Sequence, residues 1–114
     1  MSDLNGLLPK THELLAQDFE LAEPEDALDE DTLLRLLTER VAWMIDHQLE
    51  QLLSLMYRMD INEAEVHAAL SPLSPIPPHL GLATLILERQ KRRVYTKLHI
   101  HVPKIDDQDE DWSF

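Results

Sequence analysis

A chain of 114 residues with a formal charge of −12 and no cysteine is one domain's worth of sequence. It cannot form a disulfide or use a thiolate, and its charge argues against wrapping nucleic acid with its whole surface. Only two glycines, Gly6 and Gly81, are available for turns, which disfavours an all-β fold and suits helices packed by aliphatic side chains. The opening MSDLNGLLPKTHE has neither a basic segment nor a continuous apolar stretch, so no secretory leader is expected. No apolar run approaches the roughly 20 residues of a membrane span. The expected location is the cytoplasm.

Charge divides the chain. Residues 1–31 hold ten acids against Lys10 alone, residues 105–114 hold five acids and no base, and residues 88–104 hold six of the ten cations. The division predicts an acidic N-terminal extension over 1–31, a helical core domain over 32–102 and an acidic tail over 103–114. Within the extension, Leu8, Leu15, Phe19 and Ala22 recur at helical spacing. Pro9 suits a first turn, so a short helix is predicted over 9–22, stopped by Pro24. Residues 32–58 carry the strongest periodicity. Leu34, Leu37, Val41, Ile45, Leu49, Leu52 and Met56 repeat at three or four and predict a long central amphipathic helix, with Asp31 as its N-cap. The polar run 46-DHQ-48 is the place where that helix can divide.

Next comes 60-DINEAEV-66. Asn62 with Glu65 three residues on has capping-box spacing, and Ile61 with Val66 has hydrophobic-staple spacing. A calcium loop fails here, because Glu65 stands where glycine belongs and Ser71 where a bidentate Glu belongs. The stretch therefore reads as a corner between helices. After the stiff connection 72-PLSPIPP-78, a last helix is predicted from Pro78 or His79 to Lys97, with Ala83, Leu87, Gln90, Val94 and Leu98 facing inward. The alternation in 98-LHIHV-102 predicts an extended arm. A lone strand needs a partner, and a second copy is the simplest source, giving a homodimer through residues 98–102. The fold class is all-α: a compact bundle of four or five helices with a long central helix and a C-terminal extended arm.

Chemistry is sparse. Clustered glycines for a phosphate loop are absent, as is a G-x-S-x-G elbow. His12-Glu13 does not continue to H-E-x-x-H, because position 16 is Ala. No catalytic residue and no cofactor are predicted. His99 and His101, two apart on an extended segment, face one way and form the best metal candidate. Arg89, Arg93 and Lys97 fall at i, i+4, i+8 with Arg92 beside them, a basic face for an acidic partner or nucleic acid. The strings 33-LLRLL-37 and 49-LEQLL-53 look like coactivator-docking motifs, but this spacing is what core packing produces.

The segment from about Leu33 to Val94 resembles short uncharacterised helical proteins of bacterial genomes, through 52-LLSLMYRMDINEAEV-66 and 85-LILERQ-90. That resemblance implies no assigned activity and no catalytic residue. The departures from it are the acidic N-terminal part and the acidic tail 106-DDQDEDWSF-114. Trp112 and Phe114 exceed what a solvating tail needs. The tail is similar to the acidic, Phe-ending tail of bacterial single-stranded DNA-binding proteins, which recruits partners. The Pro before that Phe is Ser113 here, and the helical body is unlike an OB-fold. Two readings follow. The tail docks on another protein, or it folds back with Asp109 to Asp111 near Arg89, Arg92 or Arg93. The leading expectation is a non-catalytic protein–protein interaction module, self-association included. Binding of an acidic partner or nucleic acid through the last helix, and a metal-dependent site at His99 and His101, are its rivals.

Overall fold

The computed structural model describes residues 6–24 and 27–99, with side chains through Leu98. Among the described residues five helices make up the fold: α1 (Leu7–Phe19), α2 (Glu30–His47), α3 (Leu49–Arg58), α4 (Glu63–Leu70) and α5 (Pro78–His99). There is no strand among the described residues. The chain is an all-α bundle. Its organising element is α5, which packs against α1, α2 and α4, while α3 packs on α2.

One apolar core joins all five helices. Phe19 of α1, Leu33, Leu37 and Val41 of α2, Leu52 of α3, and Leu82, Ala83 and Ile86 of α5 are each 0% exposed, and Val66 of α4 joins the same cluster. The predicted boundary after residue 31 thus falls inside a shared core, because α1 buries Leu14, Leu15 and Phe19 and lies on α5. Its start is Gly6, whose φ of 104° suits a residue without a Cβ. Its end is Glu20, also left-handed, whose amide bonds the Ala16 carbonyl at 2.9 Å.

The predicted helix over 32–58 is two helices. Gln48, at φ −144° and ψ 53°, leaves helical geometry and ends α2. His47 closes that end. Its ring Nδ1 lies 2.9 Å from the Trp43 carbonyl, a side-chain cap of the kind histidine provides at helix C-termini. The two rings stack at 4.4 Å. The helix resumes at once, since the Leu52 amide bonds the Gln48 carbonyl at 3.0 Å. Leu33, Leu36 and Met44 are buried where Leu34 and Ile45 were expected to lead, and Leu49 is exposed. The N-cap of α2 is Asp29 rather than Asp31. Its carboxylate accepts the Thr32 amide at 2.8 Å, and that hydrogen bond holds the Asp29 pKa below its ordinary value.

At the α3–α4 corner, Asp60 is left-handed at φ 66°. The Asp60 amide bonds the Tyr57 carbonyl at 3.0 Å and the Ile61 amide bonds the Met56 carbonyl at 3.2 Å. Those two bonds are a Schellman termination with Asp60 in the place usually held by glycine. Asn62 then caps α4, its Oδ1 accepting the Ala64 amide at 2.7 Å. Ile61 and Val66 are both buried in the core, as the staple requires. Near the start of α5, a Cβ added to Gly81 would stand 3.3 Å from that of Ala69, so α4 and α5 meet closely. At its other end α5 stays helical through Leu98 and His99. The extended arm therefore does not begin at Leu98, since the apolar–polar alternation of 98–99 is overridden by continuation of a well-formed helix. Residues 100–102 lie outside the described residues, and the homodimer expected through 98–102 has no extended edge at its first two positions.

Candidate protein-interaction surface

The four cations singled out in the sequence lie together on the last three turns of α5. Arg89, Arg92, Arg93 and Lys97, with Thr96, line a concavity of about 260 Å³ with no carboxylate among its described walls. The four differ in what they touch. Arg89 turns to the α3–α4 corner, where its Nε donates to the Met59 carbonyl at 2.9 Å and its guanidinium lies 4.0 Å from the Asp60 carboxylate. Arg92 and Lys97 are exposed, and Arg93 is half-buried. Burial, then the neighbouring charge of Arg89, lowers the Arg93 pKa, against the pull of Asp60. Lys91, the remaining cation of this stretch, points elsewhere and binds Glu30 at the start of α2 and Glu88 at 3.6 Å. Burial opposes its charge, but the hydrogen bond and fields of the two glutamates prevail and raise its pKa.

The basic concavity shares lining residues with a second hollow. Arg89 and Arg92 also border a hollow of about 270 Å³ between α5 and the α3–α4 corner, where Asp60, Glu65 and Glu88 supply acidic walls. Glu65 and Leu85 in turn border a third and larger groove of about 780 Å³. That groove lies between α4, the segment 71–76 and the first half of α5, and its described walls are mostly apolar. Leu73, 90% exposed, and the half-exposed Ile76 stand on it. Local hydrogen bonds fix its rim: the Ser71 hydroxyl accepts the Leu73 amide at 3.0 Å, and the Ser74 hydroxyl both accepts the Ile76 amide at 3.2 Å and donates to the Ile76 carbonyl at 3.1 Å. The three hollows follow one another along α5 and share lining residues, basic near its C-terminal end, mixed in the middle and apolar at its N-terminal end; together they are called the α5 track.

The groove is what the sequence reading missed. Two large aliphatic residues inside a proline-rich connection, Leu73 and Ile76 in 72-PLSPIPP-78, were the available signal. Their neighbours on α4 and α5 are set by tertiary packing. A second exposed feature lies at the end of α2. There Trp43, 41% exposed, stacks on His47 and carries the Arg40 guanidinium 4.6 Å above its ring. Arg40 is also held by Glu20 at 3.2 Å, so this cluster ties the end of α1 to α2.

Other predicted sites fall differently. The string 33-LLRLL-37 is core, with Leu33, Leu36 and Leu37 buried. In 49-LEQLL-53, Leu52 is buried and Leu49 exposed. The His99 side chain, His101, Trp112 and Phe114 lie outside the described residues. Among the described residues no group of three or more His, Cys, Asp or Glu is arranged to hold a metal ion. No described helix is long and apolar enough to cross a membrane. Comparison with protein-family models, with curated proteins and with solved structures found no match for this chain.

Proposed function

We propose that this chain is a non-catalytic protein-interaction module whose receiving surface is the track along α5. The partner chemistry it suits is an acidic segment adjoining a large apolar or aromatic residue. The observation that carries this reading is the order of surfaces along α5: a concavity walled by four cations at one end and an apolar groove of about 780 Å³ at the other. Exposed apolar surface that is contiguous and rimmed by polar residues is characteristic of binding sites. The cations would steer an acidic partner and fix its register, and the groove would supply apolar burial at about 25 cal/mol per Å². A nucleic-acid strand fits less well, because its charge repeats at every phosphate and the groove has no cation among its described walls, whereas a peptide can set acids on the cations and an apolar side chain in the groove.

Selection from a random peptide library displayed on phage tests the reading. Recovered peptides should be enriched in Asp and Glu beside a large apolar residue, and Arg92→Glu and Leu73→Ser should each abolish their capture. Enrichment of basic sequences, or capture indifferent to both substitutions, would overturn it. Retention on immobilised DNA that falls steeply with salt would favour a nucleic-acid partner instead.

A further inference from the structure

We infer that Glu65 sets the charge order of the partner received by the α5 track. Between its acids and its large apolar residue, the partner carries a lysine or arginine that meets the Glu65 carboxylate. This rests on the reading of the track as a receiving surface, and it names the one position in an otherwise acidic partner where a cation is required.

Glu65 is exposed and lies in the first turn of α4. Together with Leu85 it belongs to the walls of both the middle hollow and the large groove. It is the one charged residue among the described walls of that groove. A segment reaching from Arg92 to the groove therefore lies over it.

Three carboxylates wall the middle hollow, and two of them are answered within the chain. Asp60 lies 4.0 Å from Arg89, and Glu88 lies 3.6 Å from Lys91. Among the described residues the Glu65 carboxylate has neither an ion pair nor a hydrogen bond. The neighbouring cations have other partners: Arg89 also donates to the Met59 carbonyl at 2.9 Å, and Lys91 also binds Glu30. Arg92, the remaining cation of that hollow, is the one assigned to the partner's acids.

An apolar or acidic residue laid over Glu65 would take water from the carboxylate and offer no hydrogen bond or charge in return. A lysine or arginine offers an ion pair, and its methylene stem can lie along the apolar wall while its head stays at the rim. A pair at an exposed rim adds little affinity and discriminates mainly by rejecting like charge. The spacing allows it. Residues 85 and 92 are roughly 10 Å apart along the α5 axis, a path that an extended segment covers in about three residues. An acid on Arg92 thus leaves room for one or two residues before the apolar one, and the cation is among them.

The same random peptide library is selected in parallel on full-length wild type, Glu65→Gln and Glu65→Lys. Glu65 lies outside the core, and thermal melts check that each variant is folded. Should lysine disturb the first turn of α4, the glutamine variant decides, because it removes the charge and keeps the capping-box spacing. Wild-type peptides are expected to carry a basic residue within two positions of the large apolar residue, on the side of the acids. Glu65→Gln should lose that preference, and Glu65→Lys should replace it with Asp or Glu, while the acids and the apolar residue persist throughout. One wild-type peptide and its counterpart with glutamate at that position are then titrated into both proteins. Wild type should prefer the basic peptide by roughly three- to tenfold, and Glu65→Lys should reverse the order. No preference at that position in wild type, or the same preference in wild type and Glu65→Gln, would overturn the role of Glu65 while leaving the receiving surface standing. Recovery of no peptide that depends on Arg92 or Leu73 would overturn both.

Discussion

Arg89 Nε donates to the carbonyl of Met59, the residue that ends α3, at 2.9 Å, and its side chain is 27% exposed. A cation placed there answers both an orphan carbonyl and the negative end of the α3 dipole. Arg92, one helical turn away, is exposed and faces the track. The two arginines were indistinguishable as members of one charged face, because periodicity places side chains on a face and says nothing of what each meets. They separate by mutation. Arg89→Met should cost about 1–2 kcal/mol, the lower part of the range for a hydrogen bond to a charged group, whereas Arg92→Met should fall within about 0.5 kcal/mol of wild type. Equal urea midpoints for the two variants would remove the clamp. Asp60 offers a second residue-level test. Its φ of 66° is one that glycine adopts without strain and a β-branched residue resists. Asp60→Val should therefore destabilise by about 1–2 kcal/mol. Asp60→Gly should melt close to wild type, relief of backbone strain offsetting the loss of the 4.0 Å contact with Arg89. A Gly variant as unstable as the Val variant would show that the carboxylate matters more than the backbone.

At the level of elements, the helix ends were the most legible part of the chain. Asn62 caps α4 and Ile61 with Val66 flanks it as their spacing implied, because a cap is local chemistry written in a few adjacent residues. The break at Gln48 was legible only as the polar run around it. Its position is marked by the backbone of Gln48 at φ −144° and ψ 53°, a local choice that periodicity does not encode. Within α2, Leu33, Leu36 and Met44 are buried and Leu34 and Ile45 partly so, because the helices that pack on α2 decide which part of a wide apolar face is covered. The place of α1 was hidden by composition. An acidic stretch suggests solvent, but the acids flank Phe19 and Leu15, which are 0% and 1% exposed. Phe19→Ala should accordingly cost about 3–5 kcal/mol, as for an aromatic residue removed from a core. A variant that kept the wild-type melt would mean α1 is an appendage. The groove was the least legible feature, since Leu73 and Leu85 are twelve residues apart and meet on one surface only through the packing of α4 on α5.

For the whole molecule, two electrostatic contributions oppose each other and salt acts on both. Ion pairs such as Arg40–Glu20 at 3.2 Å and Arg35–Glu39 at 3.5 Å favour the folded state, but such surface pairs contribute about 0–1 kcal/mol each and weaken as salt rises. Against them stands the excess of acids over bases, 14 to nine among the described residues, held on folding within a body of 46 × 32 × 23 Å. At 0.01 M ionic strength the Debye length is about 30 Å, so most acids on such a body repel most others. At 0.15 M it is about 8 Å, and only near neighbours still interact. The unfolded chain carries the same charge over a larger volume, so screening relieves the folded state more. Acids outnumber bases among the described residues, so the long-range part of the field, which only low salt leaves unscreened, is repulsive. The melting temperature should therefore rise as sodium chloride increases from about 0.01 M to about 0.15 M at pH 7. A gain near 1 kcal/mol would appear as a shift of roughly 4–8 °C for a domain of this size. Scanning calorimetry at fixed pH across that range checks the sign. A fall in melting temperature would mean that the close pairs, Lys91 with Glu30 and Glu88 foremost, outweigh the long-range repulsion.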